Sequence, residues 1–282
     1  MKKIISGKVR EVYEVSEDRL AIVTTDRISA FDVILPTPIT DKGKVLNSLS
    51  SFWFSYTKDI VKNHMVSEDQ ADMPEELRGP EFEGRTILVK KLKMLPFEFI
   101  VRGYLFGSMW KEYQKTGGFC GTKLPEGMKQ AEKLPEPLLT PSIKAEEGHD
   151  VNVSFEYMAE KLGEEMAQKV CDTALSLYKR CYDYAFERGI IIADTKFEFG
   201  LDENGELVVG DEVLTPDSSR FWSREAYKVG VSPESFDKQY LRDWLTENGL
   251  DGKTPPPELP EEVVQRTREK YLECRERLVT KG

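Results

Sequence analysis

The sequence predicts a mixed chain in which antiparallel strand pairs alternate with helices, and three observations carry that prediction. Residues 190–222 read as two strands around a tight turn, because Asn204-Gly205 between alternating runs is a strong hairpin signal. Residues 4–25 and 85–105 hold two further strand pairs broken by turn residues. Two stretches, 44–63 and 164–187, repeat apolar side chains at helical spacing.

A chain of 282 residues can bury one large core or the cores of two lobes. Its 32% charged and 10% aromatic residues mark it as globular. The net charge of −10, from 40 basic and 50 acidic residues, disfavours nonspecific nucleic-acid or anionic-membrane binding but leaves room for a local basic pocket. The four cysteines show neither a CxxC pair nor zinc spacing, so they are expected as free thiols in a reducing compartment. No apolar run reaches transmembrane length, and MKKIISGKV lacks a signal-peptide core, so a soluble cytoplasmic protein is expected. With only His64 and His149, histidine-centred catalysis has little material.

In chain order, residues 4–15 and 20–25 form the first expected hairpin. Its SGKVR segment sets Gly7 beside Lys8 and Arg10, where backbone N–H groups and two cations could lie along a polyphosphate; one glycine is a weak signal, and taken alone the segment reads rather as a surface turn with two solvated cations. The polar stretch TTDRISAFDVILPTPITDKG suits a functional loop. A helix over 44–63 follows, with Leu46, Leu49, Trp53, Tyr56 and Ile60 as its core stripe. In the pair 85–95 and 96–105, Phe97, Phe99 and Val101 share one face, and Glu98, Ile100 and Arg102 the other. Arg102 and the Gly-Ser turn at Ser108, opening a helix, could seat a phosphate; an ordinary helix cap is the alternative. Residues 117–153 look like a long, proline-rich loop ending in Lys144, Glu146, Glu147, His149 and Asp150. Ser154 caps a short helix, 164–187 is a long one stopped by Gly189, and tail helices are expected at 233–248, capped by Ser232, and at 260–280.

Within 190–199, Ile191, Ala193, Thr195, Phe197 and Phe199 form a core face, and Asp194, Lys196 and Glu198 a charged one. A two-residue loop places Glu198 opposite Asp211, whereas a four-residue loop places Lys196 there. Opposed carboxylates cost up to about 1 kcal/mol. Either Lys196 neutralises them, or a divalent cation such as Mg²⁺ is held by both. The hairpin alone leaves both readings open.

Taken together, SGKVREVY, DRISAFD, VRGYLFGS, PSIKAEEGHD, ADTKFEFG and GDEVLTPDSSRFW resemble the SAICAR synthetase family over nearly the whole chain. The resemblance implies an α+β fold of two lobes: a mostly antiparallel N-terminal sheet related to kinase and ATP-grasp lobes, and a C-terminal α/β lobe, with nucleotide in the cleft. The division is expected as a nucleotide lobe at 1–107 and a substrate and magnesium lobe at 108–282. It implies ligation of carboxyaminoimidazole ribonucleotide (CAIR) to L-aspartate with ATP and Mg²⁺ in purine biosynthesis. Gly7, Lys8, Arg10 and Lys144 then resemble the nucleotide phosphate contacts, and Glu198 and Asp211 the magnesium carboxylates. Asp194 and Lys196 fall beside the CAIR head group as the catalytic candidates. Arg102, Ser108 and Arg220 resemble the ribonucleotide phosphate site, with Asp217 near ribose or imidazole. Ser29, Asp32, His149 and Asp150 fall in substrate loops. Tyr104 stands where some members have an arginine. A kinase-like phosphotransferase and a non-catalytic nucleotide-binding protein are the rival readings; neither H-R-D nor D-F-G is present.

Overall fold

A computed structural model describes residues 1–143 and 151–279. Among these, two antiparallel-rich sheets dominate. The smaller has five strands in the order Lys2–Ser6, Arg10–Glu14, Arg19–Thr24, Thr86–Lys90 and Met65–Ser67. The larger has eight strands and is organised around Ile190–Leu201, the longest strand described. With helices packed against the sheets, the architecture is the α+β class that the sequence implied.

The central strand behaves as its alternation requires. Ile191, Ala193, Thr195, Phe197 and Phe199 are all buried, while Lys196 and Glu198 are half-buried on the opposite face. The core face packs against helix Glu164–Glu187, whose Tyr178 hydroxyl donates to the Ile192 carbonyl at 2.7 Å. That approach explains Gly103 on the adjacent strand: a Cβ there would stand 2.0 Å from the Tyr178 hydroxyl. The 24-residue helix ends as predicted, with Gly189 at φ 78°.

Several expectations are corrected. The run 4–15 is two strands, because the chain reverses at Gly7–Val9 and pairs Ser6 with Glu11. Residues 85–95 and 96–105 do not pair with each other. Thr86–Lys90 joins the smaller sheet, whereas Glu98–Tyr104 pairs with the central strand in the larger one. Glu98–Tyr104 thus lies in sequence before residue 107 but is hydrogen-bonded in the larger sheet. The first helix spans Lys42–Tyr56 and stops where Thr57 turns its N–H and its hydroxyl onto the Trp53 carbonyl. The proline-rich stretch contains an 11-residue strand, Lys133–Ile143. A proline lacks a ladder donor, yet a strand tolerates it where no N–H is called for, so the prolines concealed the strand. The first tail helix begins at Gln239 rather than 233, because Asp237 accepts the Gln239 N–H at 2.8 Å and Ser235 is held in a bridge to Trp222. The second spans Glu261–Val279.

The turn of the opening hairpin is longer than either register considered. Leu201 pairs with Leu207, leaving five residues between, and the Asp202 carboxylate accepts N–H groups from both Asn204 and Glu206 at 2.9 Å. Glu198 therefore faces Gly210. Asp211 lies one residue past the ladder in a left-handed conformation, φ 55°.

Candidate active site

Backbone register assembles the first cluster. Asp194 on the central strand pairs with Arg102 on one side and Arg220 on the other, giving a row of arginine, aspartate, arginine across three strands. The Arg220 guanidinium closes tightly on the Asp194 carboxylate, and Arg102 Nη1 lies 3.7 Å from it. Arg102 is buried; its Nε donates to Thr140 Oγ1 at 3.0 Å, and the group lies over the Phe119 ring. Burial draws the Arg102 pKa down against the pull of Asp194, whereas Asp194 holds that of Arg220 up. Both guanidiniums border a cavity of about 220 Å³ that also meets Ser108, Lys196 and Asp217. Ser108 is the second residue of helix Gly107–Thr116, whose first N–H groups favour an anion. Gly107 is required there: at φ 61°, a Cβ would stand 2.8 Å from Arg220 Nη2.

Two residues along the same face, Lys196 is the hub of the second cluster. Its ammonium contacts Glu198 closely and lies 3.5 Å from both Asp211 and Glu98. Burial disfavours its charge, but Asp211, Glu198 and Glu98 outweigh burial and hold its pKa above the usual lysine range. Lys196 thus does neutralise the carboxylates, as one of the two sequence readings held. Among the described residues, no set of three metal-binding side chains closes on one point. The donor set nevertheless fits Mg²⁺, which takes one or two carboxylates and completes its shell from phosphates and water. Below the bend, His64 is buried beside Gly210, with Nδ1 3.4 Å from the Val209 carbonyl and Nε2 without a partner among the described residues. Burial pushes its pKa down to about 4.

Asp217 borders the cavity, but its carboxylate is committed elsewhere. Lys42 Nζ and the Tyr271 hydroxyl each reach it at 2.6 Å, and Lys238 lies at 3.5 Å. Burial pushes the Asp217 pKa up, yet Lys238, Lys42 and the Tyr271 hydroxyl draw it down further, to a net depression. Burial also pushes Lys42 down to about 8. This clamp joins the first helix, the loop before Ser219–Ser223 and the last helix.

In the smaller sheet, the Gly7 N–H closes on the Arg10 carbonyl at 2.8 Å, and exposed Lys8 pairs with Asp32 at 2.6 Å. Asp32 has φ 63°, and Ser29 lies on the short strand leading to it. Arg10 grips Glu212 with both terminal nitrogens, Nη1 at 2.8 Å, so its fork faces the hairpin exit. Lys144, His149 and Asp150 lie outside the described residues.

Reasoning from sequence missed Lys42, Glu212, Asp237 and Arg242. Asp237 and Arg242 border the cavity, and the buried Asp237 carboxyl has its pKa raised by burial. No local pattern flags any of the four. Lys42 and its partner Asp217 are 175 positions apart, and Arg10 and Glu212 are 202 apart.

A family model described as SAICAR synthetase matches residues 3–258. A phosphoribosylaminoimidazole-succinocarboxamide synthase of Maridesulfovibrio salexigens is 58% identical over 277 residues, covering 97% of this chain and 92% of the relative. The solved SAICAR synthase of Saccharomyces cerevisiae, complexed with SAICAR, superposes with a TM-score of 0.92 at 48% identity, covering 100% of this chain and 96% of its own. A type-2 SAICAR synthetase in complex with ADP gives a TM-score of 0.72 at 26% identity, covering 99% and 98%.

Proposed function

Because this chain belongs to the SAICAR synthetase family, we propose that its charged clusters divide between them the reaction of an ATP-dependent ligase of purine biosynthesis. That ligase joins the carboxylate of CAIR to the amine of L-aspartate, giving SAICAR, ADP and phosphate. The row Arg102–Asp194–Arg220, two residues from Lys196 on one strand face, is the observation that supports the assignment of parts. Arg102, Arg220 and Ser108 take the 5′-phosphate of CAIR, for which arginine's planar fork and the helix N-terminus are suited.

Lys8 and Arg10 lie along the ATP polyphosphate, with Lys144 completing the set. Glu198 and Asp211 would hold Mg²⁺, which supplies charge neutralisation at the phosphates. Lys196, at the junction, meets negative charge that develops as the CAIR carboxylate oxygen bonds to the γ-phosphorus and the bond to ADP breaks. Phosphoryl transfer of this kind needs positioning and neutralisation more than an acid–base pair. The aspartate amine then attacks the acyl carbon, the C–N bond forms, and phosphate leaves with the C–O bonding pair. Asp194, fixed by Arg220 and Arg102, accepts the amine proton. Asp217 orients the cavity wall through Lys42 and Tyr271.

We draw the two lobes by sheet, the smaller presenting Lys8 to the nucleotide and the larger presenting Arg102 and Glu198 to CAIR and magnesium. Among the described residues, no helix is long and apolar enough to cross a membrane, and we assign the enzyme to the cytoplasm.

ADP release measured with ATP, Mg²⁺, CAIR and each amino acid in turn tests the assignment. Release should require CAIR and L-aspartate together and match SAICAR formed. ADP formed from a hydroxyl acceptor without aspartate would make it a phosphotransferase, and binding without turnover a sensor.

A further inference from the structure

At the glycine turn of the smaller sheet, three successive carbonyls are taken from behind. Arg27 donates Nη2 to the Gly7 carbonyl at 3.0 Å and Nε to the Lys8 carbonyl at 3.3 Å. Thr25 donates its N–H at 2.9 Å and its hydroxyl at 2.6 Å to the Val9 carbonyl. The guanidinium is itself anchored, with Nη1 on Glu11 Oε1 at 2.9 Å, and the other Glu11 oxygen is held by Lys3 at 2.8 Å.

A trans peptide points its carbonyl and the following N–H in opposite directions. Among the described residues, the only cis bond is Thr254-Pro255, so the peptides after Gly7 and Lys8 are trans. Turning these carbonyls onto Arg27 therefore turns the N–H groups of Lys8 and Val9 to the far side of the turn. Among the described residues, neither N–H has a hydrogen-bond partner, whereas the Gly7 N–H is used to close the turn. Two consecutive N–H groups aimed one way make a concavity for an anion.

We propose that Arg27 is a positioning residue for the polyphosphate: it holds the turn so that the N–H groups of Lys8 and Val9 face the phosphates of ATP. This rests on the reading that the turn binds ATP phosphates. Arg27 acts through backbone orientation: each of its three nitrogens is already engaged, with Gly7, Lys8 or Glu11, which fixes the guanidinium behind the turn. Lysine would keep the charge beside Glu11, but its single ammonium cannot reproduce the fork across two carbonyls.

The test is Arg27→Lys, with ADP and adenosine affinities measured by calorimetry or competition. Two weakened anchor bonds and two misaligned N–H groups correspond to a loss of roughly tenfold for ADP, while adenosine, which has no phosphate, should stay within about twofold. Thr25→Val, which keeps the Thr25 backbone bond to Val9, should cost ADP about threefold and stands in if Arg27→Lys does not fold. Lys8→Ala is the control for the underlying reading. If Lys8→Ala weakens ADP while the two positioning variants bind it like wild type, the role of Arg27 is overturned. Equal weakening of ADP and adenosine also overturns it, as general loosening of the sheet. If none of the three variants affects ADP, the turn does not bind polyphosphate and the inference falls with that reading.

Discussion

Replacing Lys196 by methionine separates its neutralising role from the metal-holding role of the carboxylates around it. The substitution keeps the unbranched stem, one atom shorter, and removes one positive charge from among Glu198, Asp211 and Glu98. Deleting one partner of a buried ion pair costs about 3–5 kcal/mol. Because the Lys196 side chain is 23% exposed, the loss belongs near the lower end, at about 3 kcal/mol. For a chain of this size that is a fall of roughly 6–12 °C in Tm under reversible unfolding. Added Mg²⁺ should then behave differently in the two proteins. In the wild type it competes with an ammonium for the same oxygens; in Lys196→Met that competitor is gone. Binding at a hundred times Kd stabilises by about 2.7 kcal/mol, so the variant should recover most of the lost Tm while the wild type moves little. Thermal melts with Mg²⁺ and with NaCl of matched ionic strength measure both shifts, the salt control removing general screening. Turnover should be lost in either case. A variant whose Mg²⁺-specific shift is no larger than that of the wild type would refute the assignment of the carboxylates to the metal. An undiminished apo Tm would refute the neutralising role of Lys196.

Arg220→Lys should raise the KM for CAIR at least roughly tenfold, since a charge-assisted bond contributes about 1.5–3 kcal/mol, and leave the KM for L-aspartate nearly unchanged. Equal rises in steady-state titrations of both substrates would indicate loosening of the sheet. His64 gives a pH prediction. Its folded pKa, pushed down to about 4 by burial, lies below the unfolded value of about 6.5. The unfolded chain therefore takes up the proton first, and stability present above pH 6.5 is lost as pH falls toward 4, by about 3 kcal/mol from this group. Urea unfolding of His64→Phe across that window should show a shallower acid loss than wild type; parallel curves would exclude His64 as the cause.

How much of this was legible in the sequence depended on the range of the interaction. The alternation of Ile191 to Phe199 is local, so both faces of the central strand could be read directly. The register was not, because counting from Asn204-Gly205 ignores Asp202, whose carboxylate gathers two N–H groups and widens the loop to five residues. Arg102, Asp194 and Arg220 could each be singled out by motif, but only strand pairing puts them in one row. The Lys42–Asp217–Tyr271 clamp had no local trace: it joins the start of the first helix, a loop and the last helix, and a buried lysine looks like any other in the chain. Lys133–Ile143 was hidden by prolines that interrupt the usual strand composition.

The central strand also limits how this chain can change over generations. Asp194, Lys196 and Glu198 succeed one another at two-residue steps, each roughly 6.6 Å along the strand. Deleting or inserting one residue between Ala193 and Phe197 would slip the reading frame of the faces. Acidic side chains would be driven toward Tyr178 and its neighbours, and phenylalanines would be turned out into the cavity. Single substitutions on this strand can be graded in effect, but a change of length by one cannot. Length drift is tolerated instead at the 202–206 turn, where residues 203–206 are exposed and the contacts beyond the turn's own backbone are ion pairs at its rim, Lys169 with Glu206 at 3.7 Å and Lys62 with Asp202 at 4.0 Å. Related chains that differ in length should therefore carry the difference in that turn, and keep the interval from Ala193 to Glu198 unbroken.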